Sequence, residues 1–469
     1  MDDLYVRLRR KLAPFGQQHV LRFWDRLDGA GRSRLAGQVD SFDLERIDEL
    51  AKTRVLSAAP AAALDISPIE VTRFPRTAEE HAAFERARRA GEDVLRQGRV
   101  GCLVVAGGQG TRLGIDVPKG TFPIGPVSGK SLFDLHVERV RALGRNYRTR
   151  IPLLIMTSPV NDAATREFFR KNDNFLLPEE DAVFFVQGVM PAVDFDGKLI
   201  LDAPDHVSAS PNGHGGVMPA LAESGVLDRM RKRGITDLFH WQVDNVLVKI
   251  AEPVFLGFHC QTQSRMSSKV CRKRDAAERV GVTVKRADGR TAVVEYSDLS
   301  AEQAARTQAD GSLELWAGNL CIYWYTVDFA EKIGRDAQLP FHLARKKIPS
   351  IDREGVRVEA TEANGIKFET FVFDAFPQAD KTFIMELDRA EEFAPVKNLT
   401  GEDSVESAQQ AMTERSRRWL ESAGVAVPRG ADGRSRWPIE ISPLFALDAE
   451  ELKAKLPARL VIDGPLLLG

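Results

Sequence analysis

The segment AGGQGTRLGIDVPKGTFPIG, from Ala106 to Gly125, decides the fold of this chain. It follows VGCLVV (100–105), a short apolar run that predicts a buried strand. The segment interleaves two cations with six glycines: Arg112 and Lys119 with Gly107, Gly108, Gly110, Gly114, Gly120 and Gly125. Glycines let successive N–H groups approach an anion, and Arg and Lys add positive charge. The pattern therefore predicts a phosphate-binding loop at the carboxyl end of a strand, where open α/β sheets bind nucleotides.

Two familiar phosphate loops fail by one position each. The dinucleotide pattern G-x-G-x-x-G starting at Gly108 needs a glycine where the chain has Leu113. A Walker A pattern ending in Gly129-Lys130-Ser131 needs a glycine where the chain has Ile124. Because geometry sets these spacings, a dehydrogenase and a P-loop ATPase are both disfavoured.

Helices and strands alternate after the loop, which predicts an α/β domain with a largely parallel sheet. Asp288-Gly289 between β-branched runs predicts an antiparallel hairpin. In KFETFVFDAF (367–376) apolar and polar residues alternate, so Phe371 and Phe373 are expected on one face of a strand. The remaining segments are predicted as helices at 131–144 and 161–172 and as strands at 151–158, 182–187, 236–245 and 253–260.

Three regions of the chain differ in amino-acid composition and residue pattern. Residues 1–97 are rich in Leu, Ala, Arg and Glu and predict a helical extension, with a capping box from Thr77 to Glu80. Residues 98–395 form the predicted catalytic domain, and 396–469 a small C-terminal domain with short strands.

Composition excludes several classes of protein. The 469 residues carry 65 Lys and Arg against 67 Asp and Glu, a formal charge of −2 that argues against nucleic acid or an anionic membrane as partner. No apolar run approaches the ~20 residues that span a bilayer. The first residues do not have the pattern of a secretory signal. The 4 cysteines form no C-x-x-C motif, so a reduced, cytoplasmic protein is expected.

The loop motif GGQGTRLG followed by PKG resembles the signature of nucleotidyltransferases that join an NTP to a sugar 1-phosphate. The chain is most similar to UDP-N-acetylhexosamine pyrophosphorylases of the eukaryotic type, through co-linear blocks over roughly residues 95–400 that include SPNGHGGVMPAL, WQVDNVLVKIAEPVFLGF, AGNLCIYWYTV and EEFAPVKN. This resemblance implies a Rossmann-like nucleotidyltransferase fold with a mixed, mostly parallel sheet. It also implies UTP and a sugar 1-phosphate as substrates, a UDP-sugar and pyrophosphate as products, and Mg²⁺ as cofactor.

The resemblance further implies roles for residues around the phosphates and the base. Arg112 and Lys119 would hold the triphosphate, joined from far along the chain by Lys397, and Asp244 at the end of a predicted strand would bind Mg²⁺. The nucleotide set implied by the family is Gly107, Gly108, Gly110, Thr111, Gln187 and Gly213, with the Gln187 amide on the uracil edge.

The implied sugar-binding set contains one departure from the family. Its members are His214, Gly281, Glu295, Asn319, Phe371 and Phe373. The family usually has asparagine where this chain has His214, but Glu295, Asn319, Phe371 and Phe373 match the family, so N-acetylglucosamine 1-phosphate is the expected sugar substrate. Glucose or galactose 1-phosphate is the alternative within the same class. A non-catalytic nucleotide-sugar sensor is the alternative of another class, and retention of Arg112, Lys119, Asp244 and Lys397 together argues against it.

Overall fold

The computed structural model describes residues 3–57, 65–336 and 339–469. The strands, in chain order, are β1 (Ile66–Pro68), β2 (Val100–Val105), β3 (Leu153–Thr157), β4 (Ala182–Val186), β5 (Val189–Pro191), β6 (Leu201–Ala203), β7 (His206–Val207), β8 (Ala209–Pro211), β9 (Asp237–Gln242), β10 (Met266–Arg272), β11 (Val282–Arg286), β12 (Thr291–Val294), β13 (Ala317–Thr326), β14 (Phe341–Lys346), β15 (Ser350–Ile351), β16 (Arg357–Val358), β17 (Gly365–Thr370), β18 (Thr382–Glu386), β19 (Ile439–Ile441) and β20 (Leu466–Leu468).

The α-helices alternate with these strands over much of the chain. They are α1 (Asp3–Leu12), α2 (Gly29–Ser41), α3 (Leu44–Leu50), α4 (Ala78–Arg96), α5 (Leu132–Tyr147), α6 (Asp162–Lys171), α7 (Val217–Glu223), α8 (Val226–Lys232), α9 (Pro253–Gln261), α10 (Ala301–Ala305), α11 (Val327–Asp336), α12 (Arg389–Glu392), α13 (Val405–Ser422) and α14 (Ala449–Lys455).

The described residues divide into two compact units that interleave along the chain. The N-terminal unit draws on Met1–Leu64, Gly188–Gly216 and Leu339–Val372, and the sheet unit on Asp65–Gln187, Val217–Gln338 and Phe373–Gly469. The domain boundaries predicted after residues 97 and 395 rest on changes in sequence composition alone, and they stay a prediction.

A mixed ten-stranded sheet forms the centre of the sheet unit, in the order β1-β11-β13-β9-β2-β3-β4. Strands β9, β2, β3 and β4 run parallel, while β13 lies antiparallel to β9. Strand β12 pairs with β11, β10 with β13, and β18 with β10. Every residue of β2 is buried, which explains its unbroken apolar sequence. The predicted α/β fold is confirmed, and so is the β11–β12 hairpin.

Residues 253–260, predicted as a strand, instead form helix α9, so that prediction was wrong. A short, continuous apolar run does not distinguish a buried strand from a buried helix. Proline at the first helical position starts α9, and its close neighbour is α4. A Cβ atom on Gly91 of α4 would lie 1.9 Å from the carbonyl oxygen of Pro253, and one on Gly257 would lie 1.7 Å from that of Ala87. Two glycines thus let the helix backbones touch. The capping box predicted from Thr77 to Glu80 does start α4.

The strand predicted through KFETFVFDAF ends earlier than expected. Strand β17 stops at Thr370, whose N–H and hydroxyl both bond to the carbonyl of Asn212. A 3₁₀ helix, Val372–Gln378, follows at once. Phe371 and Phe373 therefore do not share a strand face, because the alternation continues in sequence after the strand pairing has ended.

The C-terminal part of the sheet unit has the short strands that the sequence predicts. Parallel strands β19 and β20 pack with α13 and α14 around a small apolar cluster that includes Trp419, Leu420 and Ile439. Within the N-terminal unit, α1–α3 surround a separate core with β5–β8 and β14–β17, centred on residues such as Leu35, Val193 and Phe368. In the described part of the chain, no helix is both long and apolar enough to cross a membrane.

Candidate active site

The glycine-rich loop leaves the carboxyl end of β2 and folds back on itself. The N–H of Gly110 donates to the carbonyl of Val117 at 3.0 Å, and that of Lys119 donates to the carbonyl of Gly108 at 3.2 Å. Buried Asn161, just before α6, donates its side-chain amide to the carbonyls of Ala106 and Gly108 at 2.9 and 3.3 Å. The loop is thereby fixed by its carbonyl groups, which leaves N–H groups available to a ligand.

The free N–H groups belong to the residues where the sequence predicts nucleotide binding. Within the described residues, the N–H groups of Gly107 and Gly108 have no hydrogen-bond acceptor. A Cβ on Gly107 would meet Oε1 of Gln187 at 3.1 Å, and one on Gly110 would meet Ile115 at 2.3 Å, so side chains at both positions would push neighbours away. On Gly108 a Cβ would meet nothing within 4 Å, which leaves open space above the loop.

Gln187 stands at the end of β4, directly beside this loop. Its N–H bonds to the carbonyl of Thr157 at 2.9 Å, which fixes its backbone to β3. Its side-chain amide is buried and, among the described residues, makes no hydrogen bond. A fixed amide with an unused donor and acceptor suits the edge of a nucleobase.

Thr111 and Arg112 lie on the short turn Thr111–Leu113 of the same loop, and both are exposed. Arg112 forms no ion pair with any residue in the described ranges. An unpaired guanidinium beside a loop with free N–H groups offers a fork for phosphate oxygens.

Lys119 and Asp244 meet across the ends of two adjacent parallel strands. Lys119 follows β2 through the loop, and Asp244 follows β9, the neighbour of β2. The Lys119 ammonium lies 3.9 Å from a carboxylate oxygen of Asp244, and each side chain is 18% exposed. A pair at this distance is attractive but not closed into a tight hydrogen bond, so each group is available to a ligand.

Lys397 is brought to the same place from a distant part of the chain. The N–H of Val396 donates to the carbonyl of Asp244 at 3.0 Å. The Lys397 ammonium pairs with Asp403 at 3.2 Å and is 43% exposed, so a phosphate could recruit it. The main chain next to Lys397 therefore bonds directly to Asp244, whose carboxylate faces Lys119.

Asn245 is the residue that holds this segment against Asp244. Its side-chain amide donates to the carbonyl of Glu392 at 2.8 Å, and its amide oxygen accepts from the N–H of Ala394 at 3.1 Å. Buried Lys269 bridges the carboxylates of Glu392 and Glu252, which anchors the segment on strand β10. Sequence reasoning missed Asn245 and Asn161, although each is a polar residue next to a strand end.

The predicted sugar-binding residues of the sheet unit also form one cluster. The N–H of Asn319 donates to the carbonyl of Gly281 at 2.8 Å. A Cβ on Gly281 would lie 3.0 Å from a carboxylate oxygen of Glu295, so the glycine lets that side chain approach. The buried Tyr323 hydroxyl donates to the amide oxygen of Asn319 at 2.9 Å, which fixes the orientation of that amide, and the Asn319 NH₂ group donates to Sγ of Cys321 at 3.9 Å. Tyr323 is a further positioning residue that the sequence did not reveal.

Cys321 connects the two clusters. It lies in β13 where the pairing with β10 shifts register, and its φ of +55° is unusual for a residue other than glycine. Burial raises the pKa of its thiol to about 12, with Glu295 and Asp244 adding to the increase and Lys397 opposing it. The thiol is therefore uncharged at neutral pH, and Asp244, Glu295 and Lys397 all lie close enough to influence its pKa.

Three predicted residues belong to the N-terminal unit. Gly213 has a φ of +84°, and a Cβ there would lie 2.3 Å from the carbonyl of Thr370, so only glycine fits. His214 stacks on Phe371 with ring centroids 5.0 Å apart, and His342 lies 4.4 Å from the same ring. Burial, with His342 adding to the effect, lowers the pKa of His214 to about 4.

The His214 imidazole is consequently neutral at pH 7. Its Nδ1 accepts the N–H of Val372 at 3.2 Å, so the ring proton is on Nε2. Phe373, in contrast, is buried within the sheet unit. It has the burial of a core side chain, which is the commoner place for phenylalanine.

Asp244 is a suitable Mg²⁺ ligand on the chemistry of its surroundings. In the described residues no group of three or more His, Cys, Asp or Glu side chains could enclose a metal. Mg²⁺ usually binds one or two carboxylates and completes its octahedron with waters and substrate phosphates. A single accessible carboxylate beside a phosphate loop fits that coordination preference.

The turn just after the glycine-rich segment binds a carboxylate of the protein itself. Glu440 of β19 accepts hydrogen bonds from the N–H groups of Val127 and Ser128 at 3.0 and 2.8 Å, and from the Ser128 hydroxyl at 2.6 Å. Lys130 meanwhile pairs with Glu138. The Gly129-Lys130-Ser131 sequence therefore docks the C-terminal strands and is not a second phosphate loop.

Known proteins resemble this chain along almost its entire length. Residues 55–431 match the family model described as UTP–glucose-1-phosphate uridylyltransferase. UDP-N-acetylglucosamine diphosphorylase 2 of Arabidopsis thaliana is 37% identical over 95% of this chain and 91% of the plant protein. Human UDP-N-acetylhexosamine pyrophosphorylase-like protein 1 is 36% identical over 100% of this chain and 97% of its own length. The crystal structure of the UDP-N-acetylglucosamine pyrophosphorylase from Trypanosoma brucei has a TM-score of 0.82 at 29% identity, covering 100% of this chain and 98% of that one.

Proposed function

The chain belongs to the UTP–glucose-1-phosphate uridylyltransferase family, and from this premise we propose that it joins UTP to N-acetylglucosamine 1-phosphate. The products would be UDP-N-acetylglucosamine and pyrophosphate. The family makes the chain a nucleotidyltransferase. The choice of sugar substrate has to be inferred from the residues of this chain. The observation that carries the proposal is the convergence of Lys119, Asp244 and Lys397 beside the glycine-rich loop.

The proposed reaction is a single in-line displacement. A phosphate oxygen of the sugar 1-phosphate attacks the α-phosphorus of UTP and forms the new P–O bond. The bond from the α-phosphorus to the bridging oxygen breaks, and pyrophosphate leaves with that electron pair. Negative charge from both substrates meets at one point, so positioning and cations supply most of the rate enhancement.

Each cation has a separate part in this scheme. The N–H groups of Gly107 and Gly108, with Arg112, hold the triphosphate, while Lys119 stands at the reacting α-phosphate. Lys397 leaves Asp403 for the incoming phosphates. Asp244 would hold Mg²⁺, which neutralises phosphate charge when bound. No protein nucleophile is required, and the neutral thiol of Cys321 offers none at pH 7.

Separate groups of side chains recognise the base and the sugar. The unused Gln187 amide supplies a donor and an acceptor for uracil. The Asn319 NH₂ group, set by Tyr323, donates to a sugar oxygen, and the nearby Glu295 carboxylate accepts from a hydroxyl. His214 and Phe371, whose rings stack in the N-terminal unit, are the sugar contacts proposed for that unit.

N-acetylglucosamine 1-phosphate is favoured over glucose and galactose 1-phosphates by the Asn319 cluster. A site that hydrogen-bonds an acetamido group leaves a buried polar group unpaired when the substrate lacks it. The full-length relatives named for N-acetylated sugars support the same choice. A non-catalytic sensor is disfavoured because it would not need Asp244 and two lysines in one place. A cytoplasmic location is proposed with this function and agrees with the four free cysteines.

Side-by-side kinetics with the three sugar 1-phosphates would test the proposal. We expect kcat/KM for N-acetylglucosamine 1-phosphate to exceed that for glucose 1-phosphate by about tenfold or more. Asn319→Ala should reduce this preference, and His214→Asn should leave it in place. A preference for glucose 1-phosphate in the wild-type enzyme would contradict the sugar assignment.

A further inference from the structure

Asp244 lies in a turn whose main chain is held by hydrogen bonds from several elements of the sheet unit. This segment, the Asp244 turn (residues 243–247), follows β9 directly. Among the described residues the Asp244 carboxylate accepts no hydrogen bond, and its ion pair with Lys119 is 3.9 Å long. The direction of this carboxylate is therefore set mainly by the backbone of the turn.

Two side chains of α5 hold that backbone. His136 donates from Nε2 to the carbonyl of Val243 at 2.9 Å, and Arg139 donates from Nη2 to the carbonyl of Val246 at 2.6 Å. Arg139 also donates from Nη1 to Nδ1 of His136 at 3.4 Å, so the ring proton is on Nε2, facing Val243. Residues three positions apart lie on one face of a helix. The pair therefore forms one unit, the α5 clasp (His136 and Arg139).

Two further carbonyls of the Asp244 turn also have donors. The N–H of Val396 donates to the carbonyl of Asp244 itself at 3.0 Å. Arg415 on α13 donates to the carbonyl of Leu247 at 3.1 Å. The peptide groups on both sides of Asp244 are thus fixed, and the carboxylate can move only through the torsions of its own side chain.

Packing alone does not require the two polar side chains of the α5 clasp. His136 is 1% exposed and Arg139 is 5% exposed, and the His136 ring packs edge-on against Trp241 of β9. Arg139 forms no ion pair within the described residues, so its acceptors are a carbonyl and an imidazole. Apolar side chains would fill the same space without the cost of burying a guanidinium. What the clasp adds is a fixed direction for the carbonyls next to Asp244.

We propose that His136 and Arg139 are positioning residues for Mg²⁺ binding at Asp244. The inference rests on the proposed function, in which Asp244 is the metal ligand, and it adds that α5 imposes the position of that ligand. Mg²⁺ demands nearly ideal octahedral geometry, so a carboxylate fixed by neighbouring groups suits it better than one that moves. Loss of contacts that support a metal ligand typically lowers metal affinity or activity about 10–100-fold.

Calorimetry of UTP binding to the full chain, with sugar 1-phosphate omitted, measures the metal contribution without turnover. The quantity compared is the Mg²⁺-dependent tightening, which is the ratio of the UTP dissociation constants without and with Mg²⁺. His136→Leu and Arg139→Met remove the two donors and should lose most of this tightening, while metal-free UTP binding stays within a few-fold of wild type. In pyrophosphate release their half-saturating Mg²⁺ concentration should rise about tenfold.

A conservative variant and a matched control separate positioning from stability. His136→Gln keeps an N–H donor for Val243 and should restore most of the tightening. The control is His259→Leu, because His259 is also 1% exposed and stacks on a tryptophan, but it lies beside Asp237 at the opposite end of β9. His259→Leu should lower stability in urea unfolding and leave the tightening at its wild-type value. An equal loss of tightening in His259→Leu and His136→Leu would overturn the proposal.

Asp244→Asn distinguishes failure of the clasp from failure of the metal assignment. If the wild type shows no tightening, or if Asp244→Asn retains it, then the Mg²⁺ assignment and the clasp both fail. If Asp244→Asn loses the tightening while His136→Leu retains it, the metal assignment stands and the clasp alone is overturned. The proposal predicts loss in Asp244→Asn and His136→Leu and recovery in His136→Gln, a comparison that decides the matter even if Arg139→Met does not fold.

Discussion

Replacing Lys119 by methionine should separate two effects of one charge. Methionine keeps the length and apolar stem of lysine and removes only the ammonium. In the structure this ammonium faces Asp244 at 3.9 Å, and it also stands where the α-phosphate is expected to react. The substitution therefore removes a cation from the transition state and, at the same time, removes a competitor for the proposed Mg²⁺ ligand.

The two effects differ in sign and size. Loss of one preorganised charge-stabilising donor costs about 10²–10³ in rate, or about 2.7–4 kcal/mol of transition-state stabilisation. The attraction between Lys119 and Asp244 is about 4 kcal/mol before screening at an effective dielectric constant near 20, and water access at this half-buried pair reduces it to about 1 kcal/mol. Release of Asp244 should then tighten Mg²⁺ binding about fivefold.

Pyrophosphate release from UTP and N-acetylglucosamine 1-phosphate, followed across a Mg²⁺ titration, measures both quantities. Lys119→Met should show a 10²–10³-fold lower maximum rate together with a lower half-saturating Mg²⁺ concentration. Lys130→Met is the matched control, because this loop lysine pairs with Glu138 and should retain most of the rate. A rate for Lys119→Met within a few-fold of that for Lys130→Met would refute the reasoning.

Three further substitutions test how the site is held in place. Asn245→Ala removes the side-chain partner of three buried main-chain groups, so urea unfolding should show a loss of about 2–5 kcal/mol, and kcat should fall because Lys397 loses its position. Burial lowers the pKa of His136 to about 3, so below about pH 6.5 the unfolded chain takes up a proton that the folded chain excludes. The wild type should therefore lose about 2 kcal/mol from this residue between about pH 7.5 and pH 5, as measured by urea unfolding, and His136→Gln should not. Glu440→Gln weakens three hydrogen bonds to the 125–130 loop and should lower the melting temperature with kcat unchanged. Equal acid sensitivity of His136→Gln and wild type, or a kcat loss in Glu440→Gln, would count against these assignments.

Strand β2 and the glycine-rich loop that follows it can both be predicted directly from the sequence. VGCLVV is apolar at every position because β2 is buried on both faces. Such a run can be recognised as a strand when glycines end it. Asp244 is predictable for the same reason, since a parallel strand places its following residue at the ligand edge of the sheet. Lys397 is not predictable from pattern, because nothing local indicates that a segment more than a hundred residues away returns to Asp244. The family resemblance supplied it.

The failures of prediction have physical causes that recur in other proteins. The α9 segment packs closely against α4 and has no polar face, and an apolar run without a polar face lacks the periodicity that separates helix from strand. The KFETFVFDAF strand ends at Thr370 through bonds made by distant Asn212, which no local pattern encodes. Asn161, Asn245 and Tyr323 act on other residues instead of on a ligand, so their roles appear only when hydrogen-bond partners are known.

Phosphorus NMR of a single reaction mixture tests the central claim most directly. Wild-type enzyme with UTP, N-acetylglucosamine 1-phosphate and Mg²⁺ should convert the two substrates into UDP-N-acetylglucosamine and pyrophosphate in equal amounts, and Asp244→Asn should do so far more slowly at the same Mg²⁺ concentration. Unchanged substrate resonances with the wild-type enzyme would identify a binding protein, and orthophosphate in place of pyrophosphate would identify a hydrolase. Either result would contradict the account.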